Sequence, residues 1–114
     1  MDPIKIKIAK DFSLTPGPRY IKEGLNSGEL FRNEILFPML KKAIEEDIKI
    51  VVDLDGTAGY GTSFLEEAFG GLIREEKMDY NLISSKIEII SNEEDFLIDD
   101  IKQYLKDAAK KSNR

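Results

Sequence analysis

The residues most able to do chemistry lie together between positions 50 and 74. An apolar run ends in Asp53 and Asp55, a glycine-rich turn follows at residues 56–61, and Thr62 and Ser63 precede an amphipathic pattern. The two carboxylates suggest an enzyme. The glycines suggest a site that binds phosphate, and the two hydroxyls suggest a site of regulatory phosphorylation. The chain has no histidine and no cysteine. Zinc sites, Ser-His-Asp catalysis and thiol nucleophiles are therefore excluded.

The glycine-rich turn joins a predicted strand to a predicted helix, a place where α/β proteins often hold phosphates. Its spacing fits neither the dinucleotide fingerprint nor the P-loop, and it contains no lysine or arginine. Asp53 and Asp55 would repel a nearby phosphate unless a metal intervened. We therefore interpret the glycines as a tight turn that permits positive φ, and we predict no cofactor.

The hydroxyls after the turn have two possible roles. Ser63 and Glu66 have the spacing of a capping box, an arrangement worth about 1 kcal/mol. The same place would accept a regulatory phosphate, because the helix dipole and the free amides favour added negative charge. On the residues alone we prefer capping, with phosphorylation of Thr62 or Ser63 as the alternative.

Strands that alternate with helices predict a small α/β domain. Strands are predicted at residues 4–8, 48–54 and 87–90. The continuous apolar run of the second strand predicts a central position with both faces covered. We expect a mixed sheet of about four strands packed against helices, with at least one parallel pair where a helix connects neighbouring strands.

Three helices are predicted from their apolar spacing and from their starting residues. The first begins at Asn26 with Glu29 as its capping partner and is interrupted at Pro38. The second begins at Ser63, and the last is capped by Ser91 or Asn92.

Residues 11–26 form a loop longer than usual, which predicts a functional role or a loop pinned by its own packing. Arg19 in this loop and Arg32 beyond it could bind an anionic partner. Alternatively, each could pair with Glu29 or Glu34 and fix the loop in place.

The length and the charge of the chain limit the classes of protein to which it could belong. At 114 residues the chain is predicted to be one domain, and its net charge of −5 argues against nucleic-acid binding through phosphates. No apolar run is long enough to predict a membrane span, and the absence of cysteine fits a cytoplasmic protein. An acidic surface that mimics nucleic acid is permitted by the charge, but no acidic run supports it.

The segment Asp53-Leu54-Asp55-Gly56-Thr57 resembles the nucleophile motif of the haloacid-dehalogenase phosphatases. The resemblance implies that Asp53 attacks phosphorus and that Asp55 is the acid/base, and residues 87–91 resemble the second motif of that family. The chain has no lysine-bearing third motif and no later strand ending in paired acidic residues for magnesium. We interpret the match as chance and predict no catalytic residue and no metal site. A small magnesium-dependent phosphatase or nucleotide-binding enzyme using Asp53 and Asp55 is the alternative.

A second resemblance covers residues 11–74. Asp11-Phe12-Ser13, Pro16-Gly17 with Arg19, residues 27–32, and above all SFLEEAFGGL at residues 63–72 resemble the bacterial family of STAS-like domains of unknown function. That family is similar to the STAS domains of anti-anti-sigma factors, which bind ATPase-fold protein kinases and are switched by phosphorylation. The resemblance implies a STAS-like domain over residues 1–114 with a non-catalytic regulatory function. It also implies an ATPase-fold kinase or an anti-sigma-like protein as the partner.

The same resemblance gives the candidate site residues. Counted from Asp53, the phosphoacceptor of the anti-anti-sigma factors falls on Thr62, and Gly61 and Phe64 replace an acidic residue and a glycine of that pattern. We predict that this strand–turn–helix corner, residues 59–64, docks a protein partner together with the preceding long loop. The candidate phosphorylation sites are Thr62 and Ser63, and the candidate partner-binding residues are Arg19, Arg32, Asp55, Gly59, Tyr60, Gly61 and Phe64.

Overall fold

The computed structural model describes residues 2–112, which form a three-stranded sheet packed against helices. The strands are β1 (Ile4–Lys7), β2 (Ile50–Asp53) and β3 (Ile87–Ile90), in the order β1-β2-β3, and both pairs are parallel. The predicted mixed sheet of about four strands is therefore wrong for the described residues. Helical crossovers connect all the strands, and parallel pairing follows from such connections.

The helices occupy most of the chain between the strands. They are α1 (Ile8–Asp11), α2 (Gly28–Phe31), α3 (Phe37–Glu45), α4 (Thr62–Leu65), α5 (Gly71–Arg74), α6 (Tyr80–Lys86) and α7 (Phe96–Ser112). π-Helical turns at Arg32–Leu36 and Glu66–Gly70 join α2 to α3 and α4 to α5 without a break. The long loop contains a single turn of 3₁₀ helix at Ile21–Glu23.

The sheet is covered mainly on one face. Ile6, Ile50 and Val52 point to the same face and are buried in the core. On the opposite face only Val51 is buried, and its register neighbours are the exposed Lys5 and Glu88. The central position predicted for β2 is confirmed. All three apolar residues of β2 are buried, as predicted for a strand covered on both faces, although Val51 is flanked by the exposed Lys5 and Glu88.

Two predicted helix starts differ from the structure. Asn26 has a positive φ of 58°, and Ser27 instead caps α2 by accepting a hydrogen bond from the Leu30 N–H. Ser63 lies inside α4, which begins after Gly61 without a side-chain cap. The predicted box at Ser63 does not form, because Glu66 is drawn to arginines elsewhere in the chain.

The last helix and the predicted break at Pro38 also differ from expectation. Neither Ser91 nor Asn92 caps α7, which begins at Phe96. Ser91 instead donates a hydrogen bond to the Glu94 carbonyl. Pro38 lies in the first turn of α3, directly after the π-helical turn Arg32–Leu36. The helix is therefore not broken, and the widened turn precedes the residue that cannot donate a backbone hydrogen bond.

A buried cluster of ion pairs joins the two interrupted helices. Arg32 and Glu67 are only 3% and 2% exposed, and Arg32 Nη1 lies 2.6 Å from Glu67 Oε2 and 2.7 Å from the Glu67 carbonyl. Arg32 Nε also donates to Glu76, at 3.1 Å, and Arg74 Nη2 contacts the second oxygen of Glu67, at 2.9 Å. Every side-chain polar atom buried among residues 2–112 has a hydrogen-bond partner. The charges are thus compensated, as burial requires.

Arg19 extends this cluster to the long loop. Its guanidinium donates to Glu66 and, at 3.3 Å, to Glu67. Burial opposes ionisation of Glu66, but hydrogen bonds from Arg74 and Arg19 outweigh it and hold the pKa of Glu66 below its ordinary value. Arg19 and Arg32 do form ion pairs with glutamates, as one of the two alternatives predicted. Their partners are Glu66, Glu67 and Glu76 rather than Glu29 or Glu34.

We predict that Gly71→Ala destabilises the fold by about 3 kcal/mol. A Cβ at this position would lie 2.1 Å from Arg32 Nη1, so the buried guanidinium would have to leave its carboxylate. The matched control is Gly61→Ala, whose Cβ meets nothing within 4 Å, and it is expected to cost less than about 1 kcal/mol. The free energy of unfolding in urea measures both. Equal values for the two variants would contradict the structural role of the cluster.

Candidate functional site

The corner, residues 59–64, lies beyond the carboxyl end of β2. Parallel strands place their carboxyl ends at one edge of a sheet, so Lys7 of β1, Asp53 of β2 and the residues that follow Ile90 meet near it. Ligand sites of α/β proteins commonly form at this edge.

Asp53 is engaged on both carboxylate oxygens. Its Oδ2 lies 3.3 Å from Lys7 Nζ, and its Oδ1 accepts a hydrogen bond of 2.9 Å from the Asp55 N–H. The second contact closes a side-chain turn directly after the strand. Asp53 therefore ends β2 and fixes the next two residues.

Asp55 connects the turn after β2 to the turn after β3. It accepts hydrogen bonds from the backbone N–H groups of Asn92 and Glu93 and from the Asn92 side-chain amide. A hydrogen bond also runs in the other direction between the two turns, since Glu93 Oε1 accepts from the Gly56 N–H at 2.8 Å. The hydrogen bond from the Glu93 backbone is the main cause that lowers the pKa of Asp55. Asp55 thus acts here as a charged acceptor.

The glycine-rich turn is fixed by Tyr60. The Tyr60 hydroxyl donates to the Leu54 carbonyl at 2.7 Å, and its ring lies 5.8 Å from that of the buried Phe64. Burial raises the pKa of Tyr60 to about 12, so this hydroxyl stays a donor at neutral pH. Gly59 adopts a φ of 130°, a conformation that favours glycine, which confirms the predicted use of positive φ in the turn.

The candidate site residues divide into surface and core. Thr62, Ser63 and Gly61 are exposed, and Gly59, Tyr60, Asp55 and Arg19 are partly exposed. Phe64 and Arg32 are buried, and Phe64 packs against Phe31 with ring centroids 5.9 Å apart. The exposed residues of the corner are therefore held in place by the core contacts of Tyr60 and Phe64.

The long loop lies directly against the corner. The Ala58 N–H donates to the Leu14 carbonyl at 2.8 Å, and the Gly28 N–H donates to the Pro18 carbonyl at 2.9 Å. Gly28 also touches the corner, because a Cβ there would lie only 2.4 Å from the Phe64 carbonyl oxygen. The sequence predicted a loop that is either functional or pinned, and the structure confirms that it is pinned.

The long loop exposes apolar side chains that no sequence pattern predicted. Leu14, Ile21 and Leu25 are 63%, 48% and 85% exposed, and Tyr20 is 39% exposed. Together with the exposed residues of the corner they form what we call the loop–corner surface. The available signal was the presence of large apolar residues between prolines and glycines, where no helical or strand period places them in a core.

The described part of the chain offers little for a metal. Among residues 2–112, no group of three or more acidic side chains is placed to hold a metal ion. Asp53 instead pairs with Lys7, and Asp55 and Glu93 accept hydrogen bonds from backbone amides.

Asp55→Asn is predicted to lower the thermal unfolding midpoint at neutral pH, because the carboxylate accepts hydrogen bonds from both turns. The folded pKa of Asp55 is depressed, so its contribution is present above the unfolded pKa and is lost as the pH falls through the folded pKa. Thermal melts across the acid range should therefore show the two proteins converging. Asp2→Asn, an exposed change, is the control. A deficit that persists undiminished in acid would contradict this account.

Comparison with known proteins gives the family. A family model described as a STAS-like domain of unknown function matches residues 27–96. Searches of the curated proteins and of the solved structures found no match. Within the described residues, no helix has the length and apolarity that a membrane crossing needs. The match covers more than half of the chain and includes β2, the corner and β3, and it confirms the resemblance read from residues 63–72: the chain belongs to the family of STAS-like domains of unknown function.

Proposed function

We propose that the chain is a non-catalytic regulatory module that docks a protein partner through the loop–corner surface. The observation that carries this proposal is the position of Leu14, Tyr20, Ile21 and Leu25. These side chains are exposed on a loop that backbone hydrogen bonds hold against Ala58, next to the corner, and against the start of α2. Apolar side chains that are exposed on a fixed backbone bind a partner with little ordering cost.

The partner that we propose is an ATPase-fold kinase or an anti-sigma-like protein in the bacterial cytoplasm. This part of the proposal rests on the likeness of STAS-like domains to anti-anti-sigma factors. Thr62 and Ser63 are exposed at the start of α4, and neither caps the helix. Because no capping role occupies these hydroxyls, we propose them as the site of a phosphorylation switch.

The alternative is a small phosphatase that uses Asp53 and Asp55. Against it stand the contacts of both carboxylates, since Asp53 is held by Lys7 and by a backbone amide, and Asp55 by Asn92 and Glu93. A nucleophile needs a free oxygen directed at phosphorus. We therefore propose that both aspartates are structural.

The docking proposal predicts that Leu14→Ser, Ile21→Ser and Leu25→Ser together weaken binding to a cognate ATPase-fold kinase by at least about tenfold. The combined change removes apolar area from the proposed interface while leaving the backbone contacts of the loop in place. Isothermal titration calorimetry gives the dissociation constants. The control combines Leu82→Ser with Phe96→Ser, which are exposed apolar residues outside the loop–corner surface.

Two results would overturn this proposal. The first is binding by the triple variant that equals wild type, or an equal loss in the control. The second is magnesium-dependent phosphatase turnover that disappears in Asp53→Asn.

The switch predicts a phosphoryl-sized mass increase on Thr62 or Ser63 after incubation with the same kinase and ATP, because both hydroxyls are exposed at a helix start that favours negative charge. The modified residue is assigned by peptide mass spectrometry. Thr62→Ala with Ser63→Ala should abolish the increase, whereas Ser84→Ala with Ser85→Ala, exposed hydroxyls on α6, should retain it. A stable complex in which neither Thr62 nor Ser63 is modified would contradict the phosphorylation switch and leave only the docking proposal.

A further inference from the structure

A groove opens between β3 and α7, away from the loop–corner surface. It has a volume of about 440 Å³, and its apolar lining includes Ile87 and Ile89 of β3 and Ile98, Ile101 and Leu105 of α7. Ile87 and Ile89 stay only half-buried, whereas their register partners Ile50 and Val52 in β2 are fully buried. The core is therefore left open along this edge of the sheet.

The outer edge of β3 has free backbone groups. The Leu54 N–H donates to the Ile90 carbonyl, so Glu88 and Ile90 direct their backbone groups to β2. Because these groups alternate along a strand, Ile87 and Ile89 direct theirs outward. The Ile87 N–H is bonded to the Ile83 carbonyl. Within residues 2–112, the N–H and C=O of Ile89 and the C=O of Ile87 have no backbone partner.

The rim of the groove is positive. Lys102 and Lys106 lie one turn apart on α7, line the groove and are exposed. Neither lysine forms an ion pair within the part of the chain that the structure describes, although the chain carries a net charge of −5. Glu88 also lines the groove, but it alternates with Ile87 and Ile89 and so belongs to the other face of the sheet.

We propose that this groove binds an extended, acidic peptide segment of a partner, which adds to the sheet as a strand beside β3. Three observations define the segment. The free groups of Ile87 and Ile89 require an extended backbone, and the apolar lining requires apolar side chains on the face of the segment that lies against α7. Lys102 and Lys106 belong to α7, so they require a carboxylate on that same face, two residues from an apolar side chain. A four-residue edge strand accommodates a segment of about 13 Å.

A second copy of the chain fits this groove less well. Pairing of two β3 edges about a two-fold axis would use the same surface on both copies. Lys102 and Lys106 of each copy would then meet at one interface without matching carboxylates. An acidic segment instead neutralises both lysines.

The test selects short linear peptides from a random display library on the full chain and then measures a selected, fluorescently labelled peptide by anisotropy. The proposal predicts selected sequences with an apolar residue and an aspartate or glutamate two positions apart, so that both side chains lie on the face toward α7. Lys102→Glu with Lys106→Glu should weaken binding at least about tenfold. The control, Lys41→Glu with Lys42→Glu on α3, changes the net charge equally and should bind as wild type.

A second measurement locates the peptide. Hydrogen exchange of the Ile89 amide should slow by at least about tenfold when the peptide is bound, because this N–H gains a backbone acceptor. The Leu14, Ile21 and Leu25 triple variant should retain peptide binding, which separates this site from the loop–corner surface. Failure to select any peptide, protection confined to residues 11–26, or protection that appears only with concentration-dependent dimerisation would each overturn the proposal.

Discussion

The buried ion pair between Arg32 and Glu67 is the contact on which the arrangement of the other parts depends. It joins the π-helical turn Arg32–Leu36 to the π-helical turn Glu66–Gly70. Glu76 also pairs with Arg32, and Arg74 also pairs with Glu67. A buried charge that loses its partner costs about 3–5 kcal/mol, so the two helices cannot slide past each other without a large loss. Gly71 is required at the point where the guanidinium passes the helix. Through Arg19 the same cluster also sets the position of the long loop.

The features that look most like an enzyme serve to join the ends of the strands. Asp53 and Asp55 lie where a parallel sheet commonly binds ligands, yet their oxygens hold Lys7, Asn92 and backbone amides. A short motif does not define its own chemistry, since the same carboxylates can face a substrate or fasten two turns. In this chain the contacts of both carboxylates support the structural role that we propose for them. The exposed apolar residues that support docking are in the loop instead, outside any motif.

Regular patterns could be predicted from the sequence, and long-range pairings could not. The isoleucines of β1 and β3 and the apolar run of β2 identified the strands, because burial imposes a period on them. Glu29 and Glu66 have capping-box spacing, but the former accepts from the Ile21 N–H and the latter from Arg19 and Arg74. These partners lie eight or more residues away, beyond the reach of a capping rule, and no local pattern identifies them. Helix α6 was missed because its seven residues bury only Ile83, too few positions for a helical period.

The all-parallel sheet has a consequence for how the chain acquires its structure. Ile4 pairs with Ile50, and Ile50 pairs with Ile87, so every strand partner is separated by a helical crossover. No hairpin can nucleate this sheet, and β1 has nothing to pair with until β2 has been synthesised. A nascent chain that ends before β3 would expose one edge of β2, the most deeply buried strand of the folded domain. We therefore expect the helices to collapse around Phe31 and Phe64 first, with the strands joining late and together, and the incomplete chain to be the form most prone to aggregate.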